Sequence, residues 1–509
     1  MKIVRIASVV FISVFGFNSC KTATESEPKQ PEELPNIILV MADDLGWGDV
    51  AYNGNKTVKT PHLDQMAAAG LKLNRFYAAA PVCSPTRASA LTGRHPYRVR
   101  IPWAGDGFIH PNEVTIAEML KTKGYATGHF GKWHVGGLSK SFKQSYFPGP
   151  ITTYSPPWEN GFDVSFSTES MMPTYNPYYH VGGNYGEEDY KMIQTEVVSQ
   201  GQETGGHKWR DVYWTGPGQF LDSNPGGDDA ELVMDKALEF IKEKVETQEN
   251  FLSLIWFHNV HTPVVAGNKY RELYKDLTTE EQHWYGGISA MDDQIGRLRA
   301  ELKIMGISEN TIIWFCSDNG PSYVHDLNSA GPYRGKKSEL LEGGIIVPSI
   351  VEWPAKFKSP ASINTPMVTS DFFPTLLEIS GVDWKGQAHI DGEDVLSILM
   401  GDKTQRERPI GFRSPLPSRL NQEKTLNAEQ WAYLDHNYKL ISLDNGKSYQ
   451  LYDLSTDVQE SKDLSEQLPD IKQKLLEGLL TWSRSIDTEL EMQNNTYEEK
   501  DKTLRFSRK

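Results

Sequence analysis

The sequence predicts an α/β fold: a large, mainly parallel sheet flanked by helices, followed by a smaller C-terminal α+β domain that contains an antiparallel sheet. Three apolar runs of strand length end in carboxylates or histidines, namely PNIILVMADDLG (35–46), FLSLIWFHNVHTP (251–263) and TIIWFCSDNG (311–320). Helical patterns separate these runs. Alternating buried strands and helices are typical of an open parallel sheet, whose functional loops lie at the carboxyl ends of the strands.

The helical patterns are TPHLDQMAAAGL, EVTIAEMLKTKGY, DAELVMDKALEFIKEKVE and GGISAMDDQIGRLRAELKIMG, in which apolar residues recur with helical spacing. After about residue 390 the pattern changes to the short strands PIGFRS, QWAYLDHNYKLISL and SYQLYDL and the helical QLPDIKQKLLEGLLTWSRSI. We therefore expect a large domain over 35–388, a C-terminal subdomain over 389–495 and a weakly ordered tail over 496–509.

The N-terminus has the pattern of an export signal. Lys2 and Arg5 precede the apolar run IASVVFISVFGF, and Cys20 follows it. This order resembles a bacterial lipoprotein signal over 1–19, with Cys20 lipidated and 20–34 as a flexible tether. It predicts an exported protein in the periplasm or at the cell surface of a Gram-negative bacterium, in contact with membrane only through the anchor. The alternative is a plain secreted protein with an incidental cysteine.

Charge and cysteine content restrict the function further. The formal net charge of -15 argues against a general affinity for nucleic acid or anionic polymers, so positive charge toward an anionic substrate must be local. Cys316 lies in an apolar strand pattern, where a cysteine is typically a small buried hydrophobe. Cys83 instead lies between two prolines in PVCSPTRASALTGR, just before a helical pattern, which no packing role explains.

A hard-oxygen ligand set follows two of the predicted strands. Asp43 and Asp44 end the first strand, and Asp318 and Asn319 end the third. Three carboxylates and an amide oxygen suit Ca²⁺, or less well Mg²⁺, and suit zinc poorly. Either pair alone could also be an ordinary loop former.

Cationic side chains and histidines occur in three further loops. They are Lys132 and His134 in GHFGKWHVGG, His261 in VHTP, and Arg334, Lys336 and Lys337 in YRGKKSELLEGG. Singly, such residues are usually solvated. Together around one centre, they could hold an anionic group and supply general acid or base catalysis.

The segment CSPTRASALTGR (83–94) resembles the signature of the formylglycine-dependent sulfatases, an arylsulfatase-like family of the alkaline phosphatase superfamily. The resemblance continues through PNIILVMADDLG, VKTPHLDQMAAAG, GYATGHFGKWHVGG, ISAMDDQIGRL, FCSDNG, EGGIIVP and LYDLSTDVQE, and leaves only about 164–222 unmatched. It implies an alkaline phosphatase-like fold, a catalytic sulfatase domain over 35–388, and a bacterial polysaccharide sulfatase.

The resemblance also implies the chemistry. A maturation enzyme would oxidise Cys83 to formylglycine, whose hydrate attacks sulfur with one hydroxyl and expels sulfate with the other. The implied calcium ligands are Asp43, Asp44, Asp318, Asn319 and an oxygen of modified Cys83. Arg87 would steady the diol, Lys132 and Lys337 would neutralise sulfate oxygens, His134 would assist the collapse of the diol, and His261 would protonate or orient the leaving oxygen.

Two positions qualify this assignment. The family spacing to Glu-Gly-Gly selects Lys337 over Lys336, and Val260 replaces the usual proline before His261. Thr92, Gly93 and Arg94 are interpreted as residues that pin the helix carrying Cys83.

The substrate is expected to be a sulfated carbohydrate, either an algal polymer such as ulvan or carrageenan or a glycosaminoglycan. Aromatic residues around 164–222 and nearby could stack on sugars or could simply pack a long loop. The candidates for substrate binding are Trp103, His180, Trp209 and Arg210, with His110, Tyr175, Tyr178, Tyr179 and Trp214 in the same group.

Two alternatives remain. The first is a phosphatase or phosphodiesterase on the same fold, which would carry Ser or Thr and a His-rich zinc site in place of Cys83 and the oxygen ligands. The second is an inactive, glycan-binding surface lipoprotein, which would be expected to lack several of the site residues.

Overall fold

The structure is a computed structural model that describes residues 33–140, 153–180, 207–208, 211–322, 327–357, 360–386, 388–418, 420–421 and 427–500. Met1–Leu34 and Pro35–Lys509 form separate units. The expected signal sequence, Cys20 and nearly all of the tether lie outside the described residues. Among the helices of the described residues, none has both the length and the hydropathy needed to cross a membrane.

A ten-stranded mixed sheet, counted within the described residues, forms the centre of the larger unit, in the order β14-β2-β13-β11-β1-β10-β4-β5-β8-β9. Its strands are β1 Asn36–Ala42, β2 Leu71–Leu73, β4 Ala126–Lys132, β5 Val164–Thr168, β8 Trp214–Gly216, β9 Gln219–Phe220, β10 Phe251–Trp256, β11 Thr311–Ser317, β13 Ile350–Glu352 and β14 Ala361–Ile363. The three apolar runs are the adjacent parallel strands β11, β1 and β10, with Val40 paired to both Ile255 and Phe315. The predicted parallel core is confirmed.

Ten α-helices occur in the described residues. They are α1 Pro61–Ala69, α2 Cys83–Thr92, α3 Ile116–Lys121, α4 Asp229–Thr247, α5 Asn268–Arg271, α6 Thr279–Ile304, α7 Glu342–Ile345, α8 Phe372–Ser380, α9 Leu396–Leu399 and α10 Pro469–Lys500. Capping fixes the start of the long ones: the Asp228 side chain accepts a hydrogen bond from Ala230 N, and Thr278 and Glu281 form a capping box. The apolar stripe of α4 packs on β4 and β10.

Among the described residues, three smaller sheets accompany the main one. They are β12-β3-β15, with β3 Phe76–Tyr77, β12 Ile346–Val347 and β15 Met367–Val368; β6-β7, with β6 Tyr179–His180 and β7 His207–Lys208; and β16-β17-β18-β19, with β16 Ile410–Pro415, β17 Glu429–Asp435, β18 Tyr438–Ser442 and β19 Gln450–Asp453. The last is the predicted antiparallel C-terminal sheet.

Helix α10 packs on the C-terminal sheet. Leu475 and Leu479 of the helix are buried with Leu440 and Leu451 of the strands. The helix continues to Lys500, past the start of the predicted tail at residue 496, and the remainder of that tail lies outside the described residues.

The aromatic region around residues 164–222 is partly core. Tyr178 is 2% exposed and donates its hydroxyl to Leu221 O, while Trp214 is 1% exposed. Of the two alternatives, packing and sugar stacking, burial supports packing for these two rings. Burial of these rings is favourable because each removes a large apolar area from water.

Candidate active site

Cys83 is the first residue of α2, a helix buried along its whole length. The turn before it is held by Thr86, whose hydroxyl lies 3.0 Å from Ala80 O and 3.1 Å from Val82 O. Pro85 is tolerated because it lies in the first turn, where its missing N–H would have no helical partner. Cys83 is 2% exposed, and burial raises the pKa of its thiol. An unmodified thiol here is therefore kept in its less nucleophilic protonated form.

The end of the signature pins this helix, as interpreted from the sequence. Gly93 ends α2 with a φ of +69°, and a Cβ there would lie 2.8 Å from that of Phe373. Arg94 Nη1 donates to Glu113 Oε1 at 2.6 Å, and Arg94 Nε donates to His389 O at 3.1 Å. These contacts lie at the opposite end of the helix from Cys83, which supports a structural role.

The four acidic and amide candidates meet at one edge of the sheet. Ala42 pairs with Ser317, so the residues after β1 and β11 are neighbours. Asp44 has a φ of +59°, which curls the chain so that both adjacent carboxylates face the same region. Asp44 N donates to Asp318 Oδ1 at 3.1 Å, and Asn319 Nδ2 donates to Asp44 Oδ1 at 2.7 Å.

The donor set fits a hard divalent cation. Within the described residues, the buried atoms Asp43 Oδ1 and Asn319 Oδ1 have no hydrogen-bond donor. Ligand atoms of Asp43, Cys83 and Asp318 lie within 4.8 Å of one another, as do those of Asp43, Asp44 and His261. Burial, followed by repulsion from Asp43, raises the pKa of Asp318 to about 7. A bound Ca²⁺ or Mg²⁺ would compensate the negative charge that these buried oxygens concentrate.

The cationic side chains of Lys132, Lys337 and Arg87 bracket these oxygens. Lys132 Nζ donates to Asp43 Oδ2 at 2.6 Å, and Lys337 Nζ lies 2.6 Å from Asp44 Oδ1. Although burial opposes its ionisation, the charge of Lys132 and its neighbours holds the pKa of Asp43 well below its usual value. The site therefore combines fixed positive and negative charge in a small volume.

Arg87 ties the helix to the strand ends. Its Nη2 lies 2.7 Å from Asp318 Oδ2, its Nη1 donates to Lys132 O at 3.0 Å, and its guanidinium lies 5.1 Å from the Trp256 ring. The side chain is fully buried. Arg87 therefore fixes the relative positions of Cys83, Asp318 and the strand that carries Lys132.

Both candidate histidines are at the site. His134 follows β4 with a φ of +57°, and burial, then Lys132, lowers its pKa well below the usual value. His261 Nδ1 lies 2.6 Å from Thr262 O, and its Nε2 lies 3.7 Å from Asp44 Oδ2. Burial, then Lys337, lowers the pKa of His261 to about 4. Both rings are thus neutral near pH 7.

The substitution at Val260 has a structural counterpart. Val260 N donates to Asp43 O at 2.6 Å, and Asp43 N donates to Asn259 O at 2.8 Å. A proline at 260 could not make the first bond, because it has no N–H. The departure from the family pattern therefore adds a backbone tie between the His261 loop and Asp43.

The substrate-binding candidates are located less fully. Trp103 is half-buried, on a loop whose Gly105 N donates to Ser84 Oγ at 3.0 Å, which places this loop beside the start of α2. His180 belongs to β6, but its side chain is outside the described residues, as are Trp209 and Arg210. Sequence reasoning did not single out His258 and Asp229. The His258 ring contacts the Asp229 carboxylate behind the His261 loop. The sequence signal for His258 was that FHNVHTP contains a second histidine besides His261.

Comparison with known proteins agrees with this geometry. Residues 35–382 match the sulfatase family, and residues 336–484 match the C-terminal region of N-sulphoglucosamine sulphohydrolase. The chain is 31% identical to the steryl-sulfatase of Mus musculus over 77% of this chain and 69% of that protein. It is 30% identical to the N-acetylgalactosamine-6-O-sulfatase of Bacteroides thetaiotaomicron over 90% of this chain and 95% of that protein.

Solved structures have the same fold. The protein Ps i-CgsB, in complex with k-i-k-neocarrahexaose, superposes with a TM-score of 0.71 and 23% identity, over 89% of this chain and 93% of that one. A sulfatase from work on glycosaminoglycan metabolism by Bacteroides thetaiotaomicron superposes with a TM-score of 0.68 and 26% identity, over 88% and 99%. On this evidence the chain belongs to the sulfatase family and is a sulfuric ester hydrolase.

Proposed function

We propose that the protein hydrolyses sulfate esters of a carbohydrate, with Cys83 converted to formylglycine and Ca²⁺ in the acidic site. One observation carries the proposal: Cys83 lies at the N-terminus of α2 with its sulfur within 4.8 Å of oxygens of Asp43 and Asp318. This position would put the nucleophile precursor against the proposed cation site and near the ammonium groups of Lys132 and Lys337. The bacterial relative, which matches over 90% of this chain, is an N-acetylgalactosamine-6-O-sulfatase and favours a sugar substrate.

Lys132 and Lys337 are assigned to the sulfate oxygens. Both ammonium groups now lie 2.6 Å from carboxylates of the site, so a bound sulfate would share them with Asp43 and Asp44. Buried cations held in place before the substrate arrives stabilise the charge that develops on the oxygens without reorganising.

Proton transfer is assigned to the two histidines. Nδ1 of His261 donates to Thr262 O at 2.6 Å, so Nε2 of the neutral ring faces the acidic site without a proton. The negative charge of a bound sulfate would favour uptake of a proton at Nε2, which His261 would then transfer to the leaving oxygen. His134, buried beside Lys132, is suited to accept a proton from the group that replaces the Cys83 thiol. Arg87 keeps Asp318 and the helix that carries Cys83 in fixed relative positions during these steps.

Asp43, Asp44, Asp318 and Asn319 would hold the cation, which supplies charge compensation for the sulfate when bound. Conversion of Cys83 requires a maturation enzyme as a partner, which reads the Cys-Ser-Pro-Thr-Arg segment. The resulting aldehyde hydrate supplies the nucleophile. Export through the 1–19 signal, with lipidation at Cys20, would place the enzyme in the periplasm or at the surface of a Gram-negative cell.

The phosphatase alternative is disfavoured by the ligand set. Zinc sites are typically rich in histidine or cysteine, whereas this cluster is dominated by the oxygens of Asp43, Asp44, Asp318 and Asn319, with His261 as its one histidine, 3.7 Å from Asp44. The inactive-lipoprotein alternative is disfavoured because all of the proposed catalytic side chains are present and are brought together.

The experiment is sulfate release from a panel of sulfated sugars by protein made with a formylglycine-generating enzyme. The panel includes N-acetylgalactosamine 6-sulfate, glucosamine 6-sulfate and carrageenan and ulvan oligosaccharides. Mass spectrometry should show the Cys83 thiol replaced by an aldehyde oxygen. Cys83→Ala should abolish release, and Cys316→Ala, which changes the other buried cysteine, should retain it. Release by a protein with an intact Cys83 thiol would refute the mechanism. Hydrolysis of the corresponding sugar phosphates, with no sulfate released from any member of the panel, would refute the function.

A further inference from the structure

A buried chain of polar side chains lies behind the His261 loop. His258 Nδ1 lies 2.9 Å from Asp229 Oδ2, and His258 Nε2 lies 2.7 Å from Thr168 Oγ1. Asp229 Oδ1 also accepts the hydroxyl of Tyr213, whose ring stacks on Phe166 with centroids 4.5 Å apart. His258, Asp229 and Thr168 are all 0% exposed, and none of them belongs to the side chains assigned to the sulfate, the cation or the leaving oxygen.

The hydrogen-bond partners of its two ring nitrogens fix the orientation of the His258 ring. The carboxylate of Asp229 can only accept, so it selects the tautomer with the proton on Nδ1. Nε2 then faces the Thr168 hydroxyl, which also lies 2.8 Å from Ser170 O. The ring is thereby held between the end of β5 and the start of α4, two elements distant in sequence.

Backbone hydrogen bonds connect His258 to one end of the segment that carries His261 and connect Asp229, through Thr174, to the other end. At one end, His261 N donates to His258 O at 2.8 Å. At the other end, Thr174 N donates to Pro263 O at 3.3 Å, while Asp229 N donates to Thr174 O at 3.1 Å. Asp229 is therefore linked to the segment through its carboxylate and through its backbone.

We propose that Asp229, His258 and Thr168 are a positioning unit that sets the direction of His261 Nε2 toward the leaving oxygen. This inference rests on the proposed function, in which His261 protonates that oxygen. The unit acts through the backbone of 258–263 and takes no part in the chemistry itself.

The test uses the formylglycine-containing protein with Asp229→Asn and Thr168→Val, which keep side-chain size and remove the carboxylate or the hydroxyl. Ser253→Ala is the matched control, because its hydroxyl is buried in β10 with no hydrogen-bond partner among the described residues. Phenyl sulfate, whose phenolate is the poorer leaving group, and 4-nitrophenyl sulfate are the two probes. A misdirected acid should lower kcat for phenyl sulfate by about 10- to 100-fold and affect 4-nitrophenyl sulfate much less.

His261→Ala should show the same selectivity, and adding Asp229→Asn to it should cost nothing further, because the two residues act as one unit. Crystal structures provide a readout that does not depend on activity. In Asp229→Asn or Thr168→Val, His261 Nε2 should move away from Asp44 Oδ2, which it faces at 3.7 Å.

Equal losses on both esters, an additive double variant, or an unmoved His261 in crystals of folded variants would overturn the inference. If Asp229→Asn does not fold, Thr168→Val decides the matter alone. Failure of the proposed function is distinct: wild-type protein would release sulfate from neither aryl sulfates nor the sugar panel. The crystallographic comparison would still report whether the unit directs His261.

Discussion

Lys337 Nζ lies 2.6 Å from Asp44 Oδ1, although 293 residues separate the two in sequence. The turn that returns Lys337 to the sheet edge depends on close backbone packing: Gly343 N donates to Arg334 O at 2.7 Å, and a Cβ at Gly343 would lie 2.3 Å from Gly335 O. Among the described residues, the structure therefore brings Lys337, and not its neighbour Lys336, to the acidic site.

Lys337→Ala is expected to lower kcat/KM for sulfate release by about 10²- to 10³-fold, because a preorganised charge on the sulfate oxygens is lost. Lys336→Ala changes the same charge one residue away and should remain near wild type. Steady-state kinetics of the two variants on one sulfate ester measure the difference. Equal losses would show that the pair contributes only general positive charge.

Cation binding should stabilise the folded protein. Ca²⁺ would compensate the buried oxygens of Asp43 and Asp318, so a Cys83→Ala protein should melt at a higher temperature with Ca²⁺ than with chelator. The gain is about 2.7 kcal/mol at 100-fold excess over Kd. Mg²⁺ should shift the melting temperature less, because it keeps its waters and demands stricter geometry.

The control for this shift is Asp292→Asn, whose carboxylate accepts from His62 N and Leu63 N, outside the acidic cluster. It should lose some stability and keep its calcium shift, whereas Asp318→Asn should lose the shift. A calcium shift that survives Asp318→Asn would place the cation elsewhere.

Part of this site was predictable from sequence, because parallel strands place their carboxyl ends together. That rule alone brings Asp43 beside Asp318 once the apolar runs are assigned as strands. The φ of Asp44 and the burial of Tyr178 were not predictable, since each depends on packing between distant segments. The contact of Thr168 with His258, 90 residues later, is of the same kind.

The C-terminal helix should stabilise the helix that carries Cys83. Glu489 of α10 pairs with Arg94, and its Oε2 lies 2.7 Å from Arg98 Nη1. Glu489→Gln should lower the free energy of unfolding by about 1.5 kcal/mol, since two largely buried guanidinium groups lose a charged partner. Glu491→Gln, at an exposed position of the same helix, is the matched control. Urea unfolding measures the free energy of unfolding of both variants. Equal values for the two would show that Glu489 does not stabilise the protein through Arg94 and Arg98.

His95 should make the protein sensitive to acid. The residue is 3% exposed, and burial lowers the pKa of its ring from 6.5 to about 3. The unfolded chain then binds more protons than the folded one between these values. The contribution of the neutral ring is fully present above pH 6.5 and is lost as the pH falls toward about 3, by up to about 1.4 kcal/mol per pH unit.

Asparagine at this position removes the titration and keeps an acceptor for Tyr97 N, which donates to His95 Nδ1 at 3.3 Å. His95→Asn should therefore show a flatter loss of unfolding free energy between pH 6.5 and 3 than wild type does. His389→Asn is the comparison: its side chain is 55% exposed, and because burial also lowers the pKa of this ring, the variant should flatten the slope, but less than His95→Asn does. Urea titrations across this pH range supply the slopes. Protonation of the buried, neutral His95 ring is the proposed cause of the slope, and His95→Asn removes that ring. If wild type and His95→Asn lose stability in parallel, the acid sensitivity therefore arises from other groups.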